Sequence, residues 1–369
     1  MSRALFVSDL HASLRLPLAK LDPGGVSSDR LRDVVSVLGQ VQAAAVDQRA
    51  SFVAILGDLF DQQHPDGATL VATSRALGAM AREVPTYVLP GNHDAVDRDG
   101  RLYSLQFYRE LDVHGLHVLG HETAEPVDGV LLHAVPWLPE ERARKRIRAR
   151  SKGLPTGARN LLLFHQGIRG ALWDSGRASS DGLEADIGDG FDLALTGHYH
   201  RPQEFPSGRF LGAPLDLRFG DEEVVARGAW AVDLDTLAAE LVPTTYPHFQ
   251  TLHVRYLEGD VDLGDAGSPA ERLEEGVQYL RIVIEGKASE IRRDRKLIDS
   301  WSTSAAAWGL RAVRLDIRPG EERRERMENT SGLSLSELTR LYARERAPEG
   351  VDPEELAAFG ARLLDEGAP

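Results

Sequence analysis

Leu5-Phe6-Val7-Ser8-Asp9-Leu10-His11 is a short apolar run that ends on a carboxylate and, two residues later, an imidazole. The pattern recurs along the chain. Phe52-Val53-Ala54-Ile55-Leu56 ends at Gly57-Asp58, and residues 86–89 end at Pro90-Gly91-Asn92-His93-Asp94. Residues 161–164 end at His165, and residues 192–195 lead into Thr196-Gly197-His198-Tyr199-His200. Short apolar runs bounded by turn residues predict buried strands. Between them, residues 31–46 repeat apolar side chains at helical spacing (Leu31, Val34, Val35, Leu38, Val41), and residues 68–82 read as helix. Strands alternating with helices predict an α/β core with the helices outside. In such sheets ligands gather at the carboxyl ends of strands, where all five strings lie.

The side chains in these strings are hard or borderline donors: carboxylate, amide oxygen and imidazole. No thiolate is available, since the chain has no cysteine. That mix suits two divalent ions of the manganese, iron or zinc kind better than a structural zinc. Two such ions, about 3.5–4 Å apart, form a clamp for phosphoester cleavage. Asp9, His11 and His200 are assigned to one ion, and Asn92, His165 and His198 to the other. Asp58 is expected to bridge, because one carboxylate offers two oxygens. Glycines before Asp58, Asn92 and His198 fit the plan, since Gly allows sharp turns and close approach. His93 follows a candidate ligand directly and is the candidate acid for the leaving group. Asp61, three residues past Asp58, is placed to hydrogen-bond the far nitrogen of His93 and fix its tautomer; the alternative is a helix cap. Asp94 is left as a structural acceptor. His64, His114, His117, His121, His133, His248 and His253 are read as structural or surface.

Each string alone has a plainer reading. Asp-x-His is common, Gly-Asp at a strand end is often a turn, and an isolated His165 is a satisfied core histidine. Five in order, each after an apolar run, point to one binuclear site.

The 369 residues suggest roughly two domains. Apolar residues make up 42 %, and no run of about 18 of them exists, so no transmembrane helix is expected. The first strand and its donors begin within the first dozen residues, which argues against a leader peptide. With no cysteine, disulfides, iron–sulfur clusters and thiol catalysis are excluded, and a cytoplasmic home is the simplest expectation. A net charge of −14 disfavours non-specific adhesion to nucleic acid. One stretch departs from it: Arg142, Arg144, Lys145, Arg146, Arg148, Arg150 and Lys152. It is either a solvated helix face or a contact to a phosphate backbone, with Arg142, Lys145 and Arg146 as the candidates.

Residues 167–190 are rich in Gly, Ser and Asp and read as a long loop near the site. After Tyr246-Pro247 the core is expected to end. Residues 249–256, 279–284 and 311–317 are strand-like and residues 288–306 helical, giving a small α+β domain over 246–319. A charged linker follows over 319–329. Ser334 with Glu337 predicts a capping box, and Asp352-Pro353 starts a last helix. Domains are thus expected at 1–245, 246–319 and 320–369.

These motifs resemble the calcineurin-like metallophosphoesterase superfamily. Phe164-His165-Gln166-Gly167-Ile168, Gly197-His198-Tyr199-His200-Arg201-Pro202 and Gly212-Ala213-Pro214-Leu215 with Phe219-Gly220-Asp221-Glu222 narrow the resemblance to the SbcD nuclease family. The resemblance implies a β-sandwich core flanked by helices, a capping domain after residue 246, and terminal helices that dock on the coiled coil of an SbcC-like ATPase. It implies manganese-dependent cleavage of DNA, as 3′-to-5′ exonuclease and single-strand endonuclease, by a homodimer. Carried over by motif, the ligands are Asp9, His11, Asp58, Asn92, His165, His198 and His200, and His93 is the catalytic histidine. Some relatives hold a second histidine where this chain has Asp61. Rival readings are a phosphomonoesterase or cyclic-nucleotide phosphodiesterase on the same core, and a DNA-binding scaffold with a silent metal site.

Overall fold

The computed structural model describes residues 2–120, 124–223, 226–257, 260–262, 268–319, 335–346 and 352–366. His121, Ser334 and residues 320–329 of the charged linker lie outside these. Four strands come first: β1 (Arg3–Val7), β2 (Phe52–Leu56), β3 (Thr86–Leu89) and β4 (Leu116–Val118). Six follow: β5 (Ala124–Val127), β6 (Val130–Val135), β7 (Arg159–His165), β8 (Leu193–Gly197), β9 (Gln203–Phe205) and β10 (Gly208–Phe210). The chain then returns through β11 (Gly228–Asp233) and β12 (Ala239–Pro243). One sheet runs β12-β11-β1-β2-β3-β4 and the other β5-β6-β7-β8-β10-β9. β1, β2, β3 and β4 are mutually parallel, and so are β6, β7 and β8. β11 closes the first sheet antiparallel to β1.

Alternation along each strand explains why the strands read as unbroken apolar runs. Leu5 and Val7 of β1, with Val53 and Ile55 of β2, pack under the helices α1 (Asp29–Asp47) and α2 (Gly67–Glu83) with Leu31, Val34, Leu38 and Leu77. Phe6, Phe52, Ala54 and Leu56 point the other way, onto Leu132, Leu161, Leu163 and Leu195 of the second sheet. Leu162 and Phe164 of β7 then face outward to Ala143 and Ile147 of the helix Glu140–Ser151. Both faces of the central strands are therefore buried, the pattern expected of strands covered on two sides. The result is a two-sheet sandwich with helices on its outer faces, as the sequence predicts.

The described chain forms two compact units. The first takes Met1–Thr251, Leu273–Arg281 and Ala305–Val313; the second takes Leu252–Arg272, Ile282–Ser304 and Arg314–Pro369. Strands His248–Leu257, Asp260–Asp262, Val277–Gly286 and Ala312–Pro319 form one further sheet. The helix expected over 288–306 is two helices, Ala288–Arg293 and Arg295–Thr303, broken at Asp294. Near the end, helices Leu335–Arg346 and Pro353–Glu366 pack on each other. Asp352 Oδ1 accepts from Glu354 N at 2.8 Å, capping the second as expected. No helix among the described residues is long and apolar enough to cross a membrane.

A buried charge network in the first unit supports the site from behind. Arg227, 1 % exposed, donates from Nε to Asp216 Oδ1 at 2.9 Å and from Nη1 to the His200 carbonyl at 2.7 Å. Its Nη2 reaches the Asp221 carbonyl at 3.0 Å. Arg30, also fully buried, donates to the Asp216 carbonyl at 2.8 Å and lies against the rings of Phe249 and Tyr279. Removing one partner of such a pair strands the other as an uncompensated charge. Arg227→Met is expected to lower unfolding stability by about 3–5 kcal/mol, read as a lower denaturant midpoint at unchanged slope. An unchanged midpoint would show that the pair carries no structural weight.

Candidate metal centre

All five strings end at one place. β1, β2 and β3 of the first sheet and β7 and β8 of the second deliver their carboxyl ends to the same cleft. The turns are tied by main-chain bonds: Asp9 N to the Gly57 carbonyl at 3.1 Å and His11 N to the Asp58 carbonyl at 2.9 Å. Asp9, His11 and Asp58 sit at φ 55°, 47° and 49°, a left-handed conformation that costs a non-glycine residue of order 1–3 kcal/mol. The strain turns three donor side chains inward.

The glycines act in two ways. Gly57 has φ 89°, the freedom the sequence reading assigned to it. Gly91 and Gly197 lack a positive φ and are there for space. A Cβ on Gly91 would stand 2.2 Å from Asp58 Oδ1, and one on Gly197 would stand 2.5 Å from the Leu56 carbonyl and 2.9 Å from Asp9 Oδ2.

The seven predicted donors come together. His165 Nδ1 meets the Leu56 carbonyl at 2.8 Å; a carbonyl only accepts, so Nδ1 carries the proton and Nε2 offers its lone pair. That Nε2 lies 3.2 Å from Asp58 Oδ2 and 3.1 Å from Asn92 Oδ1. His198 Nδ1 lies 2.8 Å from the same amide oxygen. His11 Nε2 faces His200 Nε2 at 3.1 Å and stands 3.7 Å from Asp58 Oδ2. Asp58 therefore lies between the two histidine groups. Asp9 approaches both, with His11 and His200 on one side and Asp58 and His165 on the other.

Two imidazole nitrogens aimed at each other make poor hydrogen-bond partners. They do suit one ion, since ligands about 2.1 Å from a metal at right angles stand about 3 Å apart. The donor set fits two divalent cations by spacing and by chemistry.

Electrostatics follow from burial. Burial pushes the Asp58 carboxyl up, but the charges and hydrogen bond of His165, with His11 and His93, outweigh it and hold it well below the usual carboxylate range. Burial opposes charge on His165, yet Asp58 and Asp9 raise it to about 9, so a divalent cation gains the Nε2 lone pair by displacing a proton. Burial and neighbouring His165 press His198 down to about 3. Asp94 is pushed up to about 7 by burial and by Asp58. It accepts from Phe60 N and Gly91 N, the structural role expected of it.

Asp61 requires a correction. His93 Nδ1 lies 2.8 Å from the main-chain carbonyl of Asp61, not from its carboxylate. The carboxylate faces His11 Nδ1 instead, at 3.3 Å. The turn after β2 brings the backbone to His93 and leaves the side chain over His11. His93 lines the cleft, with its ring edge-on to that of His11 at 4.7 Å.

The sequence reading missed Asp174 and Arg218. Asp174 Oδ2 lies 3.3 Å from His200 Nδ1 and accepts from Arg218 Nη2 at 2.7 Å. Asp174 comes from the irregular loop over 167–190, and Arg218 immediately precedes Phe219-Gly220-Asp221-Glu222. His133 is structural, bonded through Nε2 to Asn160 Oδ1 at 3.0 Å. His64 is exposed, beside Asp61 and His93 in a neighbouring depression.

The basic run forms the helix Glu140–Ser151, and acidic groups offset much of its charge. Arg144 pairs with Glu140, Glu141 and Glu184, Lys145 with Glu141, and Arg148 with Asp186. Arg142 Nη1 donates to the Asp99 carbonyl at 2.7 Å.

Parallel strand ends from two sheets converging on carboxylates, an amide and imidazoles define a metal-dependent phosphoesterase. Residues 2–202 match the calcineurin-like phosphoesterase family, and the chain belongs to it. Members use a dimetal centre, and this chain is a metal-dependent hydrolase of phosphoesters. A DNA double-strand break repair protein Mre11 from Saccharolobus solfataricus is 24 % identical over 308 residues, 80 % of this chain and 77 % of its own. Exonuclease subunit 1 of Enterobacteria phage T4 is 25 % identical over 245 residues, 62 % of this chain and 70 % of its own. Among solved structures, a dimetal phosphatase from Danio rerio overlaps 63 % of this chain and 92 % of its own at 10 % identity and TM-score 0.39.

Gly91→Ala is expected to leave the fold intact and displace Asp58, weakening divalent-metal binding by about tenfold or more. Titration calorimetry with manganese measures it; wild-type affinity would show that the close approach is incidental.

Proposed function

We propose that this chain is a manganese-dependent DNA nuclease, cleaving 3′ to 5′ from ends and cutting single strands, and that it serves as the nuclease subunit of an SbcCD-like complex. The observation that carries the reading is the convergence of seven donors, Asp58 at their centre, with His93 beside them. Similarity to proteins named for double-strand break repair and as an exonuclease subunit supports DNA as the substrate.

In this reading Asp9, His11 and His200 hold one cation, Asn92, His165 and His198 hold the other, and Asp58 stands between. The pair of cations supplies charge neutralisation and an acidified attacking water. His93, anchored through Nδ1 on the Asp61 carbonyl, passes a proton from Nε2 to the leaving oxygen. The Asp61 carboxylate stands 3.3 Å from His11 Nδ1. His165 is locked by the Leu56 carbonyl, so its lone pair cannot rotate away.

The terminal helices expose Leu341, Tyr342 and Phe359. Apolar side chains on such a pair suit docking on the coiled coil of an ATPase partner. In our reading the segment after residue 246 caps bound DNA, and the enzyme is a homodimer in the cytoplasm.

The test is a manganese-dependent cleavage assay on labelled duplex and hairpin DNA, with a diester of p-nitrophenol as control. Wild type is expected to cut both kinds of substrate. His93→Gln is expected to lose about 10²–10⁴-fold in rate while still binding metal. Truncation after Gly332 is expected to spare diester hydrolysis and abolish any stimulation by an ATPase partner. Hydrolysis of the small diester with no cleavage of DNA would overturn the nuclease reading.

A further inference from the structure

Arg218 is the sole lysine or arginine among the described residues lining the cavity of about 420 Å³ onto which His11, Asp58, Asn92, His198 and His200 open. Its side chain is 58 % exposed. One donor, Nη2, is committed to Asp174 Oδ2 at 2.7 Å, and Nε lies 3.9 Å from Asp221 Oδ1. A guanidinium has five donors in a fixed planar fork, so most of this one is available. Asp174, 8 % exposed, also faces His200 Nδ1 at 3.3 Å. One carboxylate thus joins the cavity's single guanidinium to an imidazole whose Nε2 meets His11 at 3.1 Å.

We infer that Arg218 contacts the phosphate oxygens of the substrate in this cavity, and that Asp174 is a positioning residue that aims both Arg218 and His200. The inference rests on the phosphodiesterase reading above. Three observations carry it. The fork geometry of a guanidinium matches two oxygens of one phosphate. Leu16, Pro17 and Leu217 line the same cavity beside that contact. Asp174 holds the long arginine stem toward the metal donors, so less side-chain freedom is lost on binding. On the His200 side, Asp174 Oδ2 stands 3.3 Å from Nδ1, a charge contact without hydrogen-bond geometry that favours the ring facing it.

The experiment uses the full chain loaded with manganese. Binding of thymidine 5′-monophosphate is measured by calorimetry, and hydrolysis of thymidine 5′-p-nitrophenyl phosphate is followed in parallel. Arg218→Ala is expected to raise Kd for the monophosphate and KM for the diester about tenfold, with manganese affinity unchanged. Added guanidinium is expected to restore part of that loss, and Arg218→Lys to restore less than wild type, because an ammonium lacks the fork. Asp174→Asn is expected to weaken both nucleotide and manganese binding, the latter about tenfold, at unchanged melting temperature. Wild-type nucleotide affinity in Arg218→Ala would overturn the contact, and wild-type manganese affinity in Asp174→Asn would overturn the positioning role. Failure of the wild type to hydrolyse any diester would fall on the proposed function instead. The monophosphate measurement needs no turnover and still decides the role of Arg218.

Discussion

Asp58 stands where a side chain at residue 91 would have to be. That close approach, with its Cβ-to-Oδ1 distance of 2.2 Å, is the constraint around which the site is built. The β3 turn can pass Asp58 only as glycine. Having passed, it delivers Asn92 to His165 and His198, while His93 N donates back to Asp58 Oδ1 at 2.8 Å. Gly57 and Gly197 repeat the device where the two sheets meet. A Cβ on Gly57 would fall 2.0 Å from His165 Nδ1. Both sheets therefore press their strand ends together more tightly than ordinary side chains permit. The apolar layer between them, Phe6, Phe52, Leu56, Leu161 and Leu163, supplies the force that holds them there.

Placing so many ionisable groups at one buried junction runs against local stability. Asp9, His11 and Asp58 occupy strained backbone, and His11 and His200 aim nitrogen at nitrogen. Structures tolerate such conflicts where binding is the return, because the surrounding core over-determines the geometry. Arg227 belongs to that support: it holds the carbonyl of His200 while buried beside Asp216. A charged residue at zero exposure in a core is costly unless its donors are met, and here three of them are met by carbonyls and a carboxylate.

The sequence shows the strands because both faces of each are buried, which removes the polar alternation that would hide them among loops. It shows Asp9, Asp58, Asn92, His165, His198 and His200 because each follows such a run. What it conceals has physical reasons. Asp61 was assigned by side chain, yet its carbonyl meets His93, and main-chain atoms carry no residue identity. Asp174 and Arg218 lie 44 positions apart, in segments without periodicity, and become neighbours only once β8 and its return are folded. Arg30 and Arg227 give no sign of burial in the sequence, because charged side chains normally lie at the surface. The short strands β4, β5, β9 and β10 have too few residues for alternation to register. In the basic run the offsetting acids are partly local, at Glu140 and Glu141, but Glu184 and Asp186 arrive from a distant loop.

That last point bears on how an acidic chain would grip a polyanion. With a net charge of −14, the long-range field repels DNA rather than steering it in. The one basic helix has much of its charge offset by pairing with its own chain, so few cations remain there for counterion release on a phosphate backbone. In the proposed reading attraction is concentrated at the cleft, where the cations and Arg218 would face a phosphate at short range. Under that reading the arrangement favours a phosphate that can reach the cleft. It also leaves any long polyanion to be held by surfaces outside the phosphoesterase core, which is the physical argument behind the partner proposed for the terminal helices.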